Sequence, residues 1–102
     1  MTLEDTPAAS DWKAALVTVR TQIADYQREG TSTPGKLKRA ARLRACRMAL
    51  RGFESDHAAA VGALKQAVSA IEAAEKDDNW RQQAEIIVTL RQDVDRLIGL
   101  EA

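Results

Sequence analysis

The feature that most constrains the fold is a seven-residue repeat across the middle of the chain. Leu43, Leu50, His57, Leu64 and Ile71 fall seven apart, and Cys46, Phe53, Ala60, Ala67 and Ala74 interleave with them. Two such series lie along one stripe of an α-helix, the seam of helix pairing. No period-two alternation marks a strand anywhere, so the pattern predicts an all-α protein. Thr33 is a suitable N-cap, with Pro34 at the first helical position, and the helical region extends over residues 34–76. As one uninterrupted helix it spans ~60 Å. The unbroken register across Gly52 favours continuity. The alternative is a break near Gly52, with Ser55 capping a fourth helix, or a kink at the glycine itself.

Shorter helices flank this region. Residues 1–10 read as an irregular lead-in containing Pro7, with Ser10 or Asp11 as cap candidates. A first helix follows over 11–29, in which Trp12, Leu16, Val19, Ile23 and Tyr26 share a narrow stripe. Gly30 stops it. Lys76-Asp77-Asp78-Asn79 forms the next turn, Asp78 or Asn79 caps a last helix over 79–98, and Gly99 is its stop. Trp80, Ala84, Ile86, Ile87, Leu90, Val94, Leu97 and Ile98 cover a broad arc, wide enough to meet two neighbours. Short connectors make neighbouring helices antiparallel. The chain is thus read as one helical domain over 1–102, either an extended hairpin about a long central helix or a compact antiparallel bundle bent near Gly52.

Charge is distributed in blocks. The 102 residues carry 15 basic and 15 acidic side chains and no net charge. Residues 30–53 hold seven basic groups and no acid, whereas residues 54–102 hold five basic groups and ten acidic ones. Such blocks dock onto each other within a chain or between chains. On a helical wheel Lys36, Arg44, Arg47 and Arg51 lie within about 80° of one another, and Lys38, Arg39 and Arg42 form a second strip. Two apolar stripes separate the strips, one of Leu43, Cys46, Leu50 and Phe53, the other of Leu37, Ala41 and Met48. A helix with two apolar stripes packs on two sides, here against the first helix and against a neighbour. The basic strip suits phosphate or carboxylate equally.

Little points to enzyme chemistry. His57 is the only histidine and Cys46 the only cysteine. Eleven residues apart on one helix, they lie about 16 Å apart along its axis and cannot form a Cys–His pair unless that helix breaks sharply. Both occupy the seam, so packing is the expected role. Asp77-Asp78 and Asp93/Asp95 read as helix caps and surface charge, and Thr33-Pro34-Gly35-Lys36 lacks the spacing of a phosphate-binding loop. No catalytic residue, cofactor, metal or small-molecule substrate is expected. With only 4% aromatic residues, Trp12, Trp80 and Phe53, together with His57, are the expected packing or interface anchors.

A lone cysteine, no apolar leader and no membrane-spanning run lead to the expectation of a cytoplasmic protein, or one within a virion assembled there. The function expected is that of a non-enzymatic helical subunit or adaptor in a multi-subunit assembly, of which a phage or virion connector is one concrete version. Its partners are other proteins or further copies of itself, and no membrane. The alternative is a small nucleic-acid-binding accessory protein that uses the basic stripe of residues 36–51, with affinity that falls steeply with salt.

Overall fold

The computed structural model describes residues 9–101, and among them the chain forms four α-helices and no strand: α1 (Ala9–Arg28), α2 (Lys36–Leu50), α3 (Ala58–Lys76) and α4 (Trp80–Leu100). Most of the expected lead-in, residues 1–8 with Pro7, lies outside the described residues. Ser10 and Asp11 are already helical, so neither is the boundary residue of α1. Gly30, with φ +71°, follows the end of α1. A 3-10 turn at Thr33–Gly35, preceded by Ser32, then carries Pro34 in its first turn, so the regular helix begins at Lys36 and not at Pro34. At the last helix Asn79 is the cap, its side-chain Oδ1 accepting from the Gln82 amide at 3.1 Å. Gly99 does not stop α4, which continues to Leu100.

The favoured continuous central helix does not form; the chain breaks at residues 51–57. Arg51 is extended (φ −65°, ψ 134°) and Gly52 takes φ +93°, a conformation costly for any residue with a Cβ. Glu54 closes the turn. Its carboxylate accepts from the Gly52 amide at 2.8 Å and pairs with Lys65 of α3 at 3.0 Å. These bonds, with the backbone N–H of Glu54 itself as the largest influence, lower the Glu54 carboxyl to about 2. His57, not Ser55, is the residue before α3.

The seven-residue register survives the break because the chain folds back without changing which side faces inward. Leu43, Cys46, Leu50, Leu64, Ile71 and Ala74 are buried, and Phe53, Ala60 and Ala67 pack against the core they form. Each helix touches the two beside it, α1 with α2, α2 with α3, α3 with α4 and α4 with α1, so the bundle closes on itself. The pairings run antiparallel: Arg42 meets Glu29 while Cys46 meets Val19, Arg47 meets Ser69 and Glu72 while Arg39 meets Glu75, and Arg20 meets Asp95 while Tyr26 meets Gln83. A straight ~60 Å helix would leave much of its seam uncovered, whereas folding back places four apolar stripes round one core. The broad apolar arc of α4 meets α3 and α1 together.

Candidate interaction surface

The basic residues of α2 separate by burial into two groups. Arg39, four residues before Leu43, lies in the seam and is only 2% exposed. Its Nη1 donates to the carbonyls of Gly30 (3.1 Å) and Ser32 (2.8 Å), which pins the α1–α2 loop. Its Nε lies 3.1 Å from Glu75 Oε1 without hydrogen-bond alignment, so that contact is an ion pair by proximity. Its guanidinium sits 5.2 Å from the centre of the Trp80 ring, a cation–π contact. Gly35 makes room for this arrangement: a Cβ there would come within 2.7 Å of the Glu29 carbonyl and 3.0 Å of Arg39 Nη1.

Glu75 joins this arginine to a second polar group in the core. The Tyr26 hydroxyl donates to Glu75 Oε2 and accepts from Gln83 Nε2 at 2.8 Å. Burial first, and the bond to Glu75 second, push the Tyr26 hydroxyl well above its ordinary range, so it stays protonated. This network ties α1, α2, α3 and α4 together at the end of the bundle that carries the α1–α2 and α3–α4 turns. A cleft of about 780 Å³ opens beside it, lined by Lys36, Arg39, Glu75, Lys76, Asp78 and Trp80. Its lining mixes both signs of charge and presents no concerted pull on a ligand of either sign.

Arg42 and Arg47 are also engaged within the chain. Arg42 bonds Glu29 at 3.3 Å and reaches Asp25 at 3.7 Å. Arg47 makes a two-pronged contact with Glu72, at 2.8 and 2.5 Å, and a further bond to Ser69. The hydrogen bond to Arg47 is the main cause that lowers the Glu72 carboxyl, and the same contact raises Arg47. Three members of the expected phosphate-binding stripe therefore already bind carboxylates, Arg39 from inside the core. The stripe is not one continuous surface.

What remains outward is a different set. Among the described residues, Lys36, Lys38, Arg44 and Arg51 make no ion pair, and all four are exposed. Between them runs the second apolar stripe. Leu37 is 83% exposed and Met48 58%, and Ala41 lies between them, also exposed. Leu37, Ala41, Arg44 and Met48 follow at spacings of four, three and four on one side of α2, turned away from the core, and Arg51 is the residue just past the end of the helix. Arg44 and Arg51 border it on one side and Lys38 on the other. This outward face is the candidate interaction surface.

The remaining anchors lie at the opposite end of the bundle. Trp12 is buried, His57 stacks on it (ring centres 4.1 Å apart, planes within 6°), and Phe53 packs at 5.4 Å from Trp12. These three cover the end of the core where the chain breaks. Trp80, half-buried, stands over Arg39. Cys46 is fully buried, its thiol 3.9 Å from the Val19 carbonyl, and burial pushes it up to about 12, away from the reactive thiolate. Among the described residues no cluster of His, Cys, Asp and Glu could hold a metal ion, and no helix is long and apolar enough to cross a membrane.

The polar network escaped detection in the sequence although its members carried a signal. Arg39 stands four residues before Leu43 and Gln83 four before Ile87, each at a core-facing position where an apolar residue is expected. Glu75 adjoins Ala74 and has no such mark. Comparison of the chain with protein-family models, curated proteins and solved structures found no match.

Proposed function

We propose that this chain is a non-enzymatic helical interaction subunit that docks a partner protein along the outward face of α2. The observation that carries this reading is the exposed stripe of Leu37, Ala41 and Met48, bordered by the unpaired cations Lys38, Arg44 and Arg51. An apolar stripe with cations on both sides complements an amphipathic helix whose own apolar stripe has acidic borders. On α4, Glu85, Asp93 and Asp95 each pair with an arginine of the same chain, which leaves them less available to a second copy. We therefore take the partner to be a different protein, as suits an adaptor joining components of an assembly, a phage or virion connector being one form.

The test uses a labelled helical peptide with a leucine stripe bordered by glutamates, and a labelled DNA duplex as competitor. Anisotropy should report peptide binding that is lost both with Lys38→Glu/Arg44→Glu/Arg51→Glu and with Leu37→Glu/Met48→Glu. Binding indifferent to both sets refutes the proposal.

A second reading, nucleic-acid binding, is favoured by four unpaired cations, Lys36, Lys38 and Arg44 on α2 and Arg51 just after it, in a helix that has no acid. It requires DNA or RNA affinity that falls steeply with salt and survives loss of the Leu37 and Met48 side chains. Exposed Leu37 and Met48 have no use against phosphate, which ranks the protein partner first.

A further inference from the structure

The break at residues 51–57 interrupts a seam that needs no interruption. Every position of the two seven-residue series from Leu43 to Ala74 is buried or packs on the core, and His57, inside the connection, stacks on Trp12. If residues 51–57 became helical, α2 and α3 would join into one rod with the same seam on the same side. Nothing in the pattern of apolar residues separates the two forms. What separates them is local: Gly52 at φ +93°, and Glu54 closing the turn onto the Gly52 amide and Lys65.

The same break divides the bundle into two hairpins, α1–α2 and α3–α4, joined only by this connection. The contacts across the divide are specific: Arg39 and Tyr26 on Glu75, Tyr26 on Gln83, Arg47 on Glu72, Arg20 on Asp95 and Arg91 on Gln27. A straightened chain loses all of them at once. A second straightened chain, lying antiparallel, restores all of them, because the α3–α4 hairpin of each copy then occupies the place vacated by the other's.

We propose that this chain forms an exchanged dimer with a second copy of itself, in which residues 51–57 become helical and each α1–α2 hairpin packs on its partner's α3–α4 hairpin. This goes beyond docking on α2, whose outward face stays exposed in both forms. Domain exchange of this kind is an economical route to a dimer because it reuses an existing interface. The balance between forms is set by concentration and by residue 52.

The experiment is to unfold and refold the full chain over a range of concentrations and weigh the products by light scattering. Gly52→Ala is the decisive variant. A Cβ at residue 52 meets nothing within 4 Å in the folded-back form, so alanine acts through backbone conformation alone. It disfavours positive φ and favours helix, together about a 30-fold preference per chain and roughly a thousand-fold rise in the two-chain association constant. Gly52→Asn, which tolerates positive φ, should shift the balance far less. To identify the dimer, Gly52→Ala chains carrying Arg47→Cys are refolded with Gly52→Ala chains carrying Glu72→Cys and treated with a short thiol cross-linker. A covalent heterodimer is expected after co-refolding and not after mixing chains already folded as monomers. A Gly52→Ala chain that is monomeric at every concentration, whether folded or unfolded, overturns the proposal, as does a dimer without the cross-chain link between positions 47 and 72.

Discussion

Replacing Arg39 by methionine should destabilise the bundle more than any other loss of a charged side chain. The substitution keeps a long apolar stem but removes two donors and a charge. The carbonyls of Gly30 and Ser32 lose their Nη1 partner, and Glu75, whose side chain is 15% exposed, loses its cation. Breaking a buried ion pair from one side costs about 3–5 kcal/mol, because the remaining charge stays desolvated. Against a total stability of about 5–15 kcal/mol for a domain of this size, that is a large fraction, and it lowers Tm by roughly 15–30 °C. Urea unfolding followed by tryptophan fluorescence measures the cost, and Trp80 beside Arg39 makes the signal local. Removing both charges, Arg39→Met with Glu75→Leu, should recover a substantial part of the loss, since the stranded carboxylate is gone. The recovery is incomplete because the Tyr26 hydroxyl loses its acceptor, although Gln83 still bonds it. A cost under about 1 kcal/mol for Arg39→Met, the value typical of an exposed pair, would show that Arg39 is solvated and refute the burial argument.

Further outcomes follow from the same geometry. Arg47→Ala should cost less than about 1 kcal/mol at neutral pH, because the Arg47–Glu72 pair is partly exposed. Glu72 is lowered in the folded state, so the difference between wild type and Arg47→Ala should be full above the ordinary carboxyl value of 4.5 and vanish as pH falls through the lowered one; urea midpoints measured down the acid limb check this. On the alkaline side the sign reverses: Cys46 is raised from 9.0 to about 12, so the stability it contributes is full below pH 9 and is lost as pH rises toward 12. Cys46→Val should flatten that limb, with a remaining decline from Tyr26, which is also raised. Trp12→Ala should cost about 3–5 kcal/mol as a large-to-small core change, and by uncovering His57 and Phe53 it should speed amide exchange in residues 51–57 before exchange elsewhere in the core.

The helices and their inward sides were legible in the sequence because apolar residues recur at the helical period. Trp12, Leu16, Val19, Ile23 and Tyr26 recur along one stripe of α1, and all five are buried. The two apolar stripes of α2 were legible for the same reason, and burial then gave them opposite fates. Leu43, Cys46 and Leu50 face the core, whereas Leu37 and Met48 face outward. The sequence divides the basic run into two strips, but charge alone does not report depth, so it does not show which of these cations are buried or paired. Arg39 and Arg44 are equivalent in composition, and the helical wheel sets them on opposite sides of α2, one over Glu75 and Trp80 and the other outward.

Periodicity by itself determined that the middle of the chain is helical and which side of it is apolar. A repeat of seven records angle about an axis and nothing about where along that axis a chain reverses. That decision belonged to the tertiary structure. Glycine at position 52 permits a positive φ, the Glu54 carboxylate holds the turn against Gly52 and Lys65, and within a single chain reversal is what lets four helices share one core. The same folding back sent Arg39 inward to meet Glu75, thirty-six positions away in the chain, and left Leu37, Met48 and Arg44 facing outward.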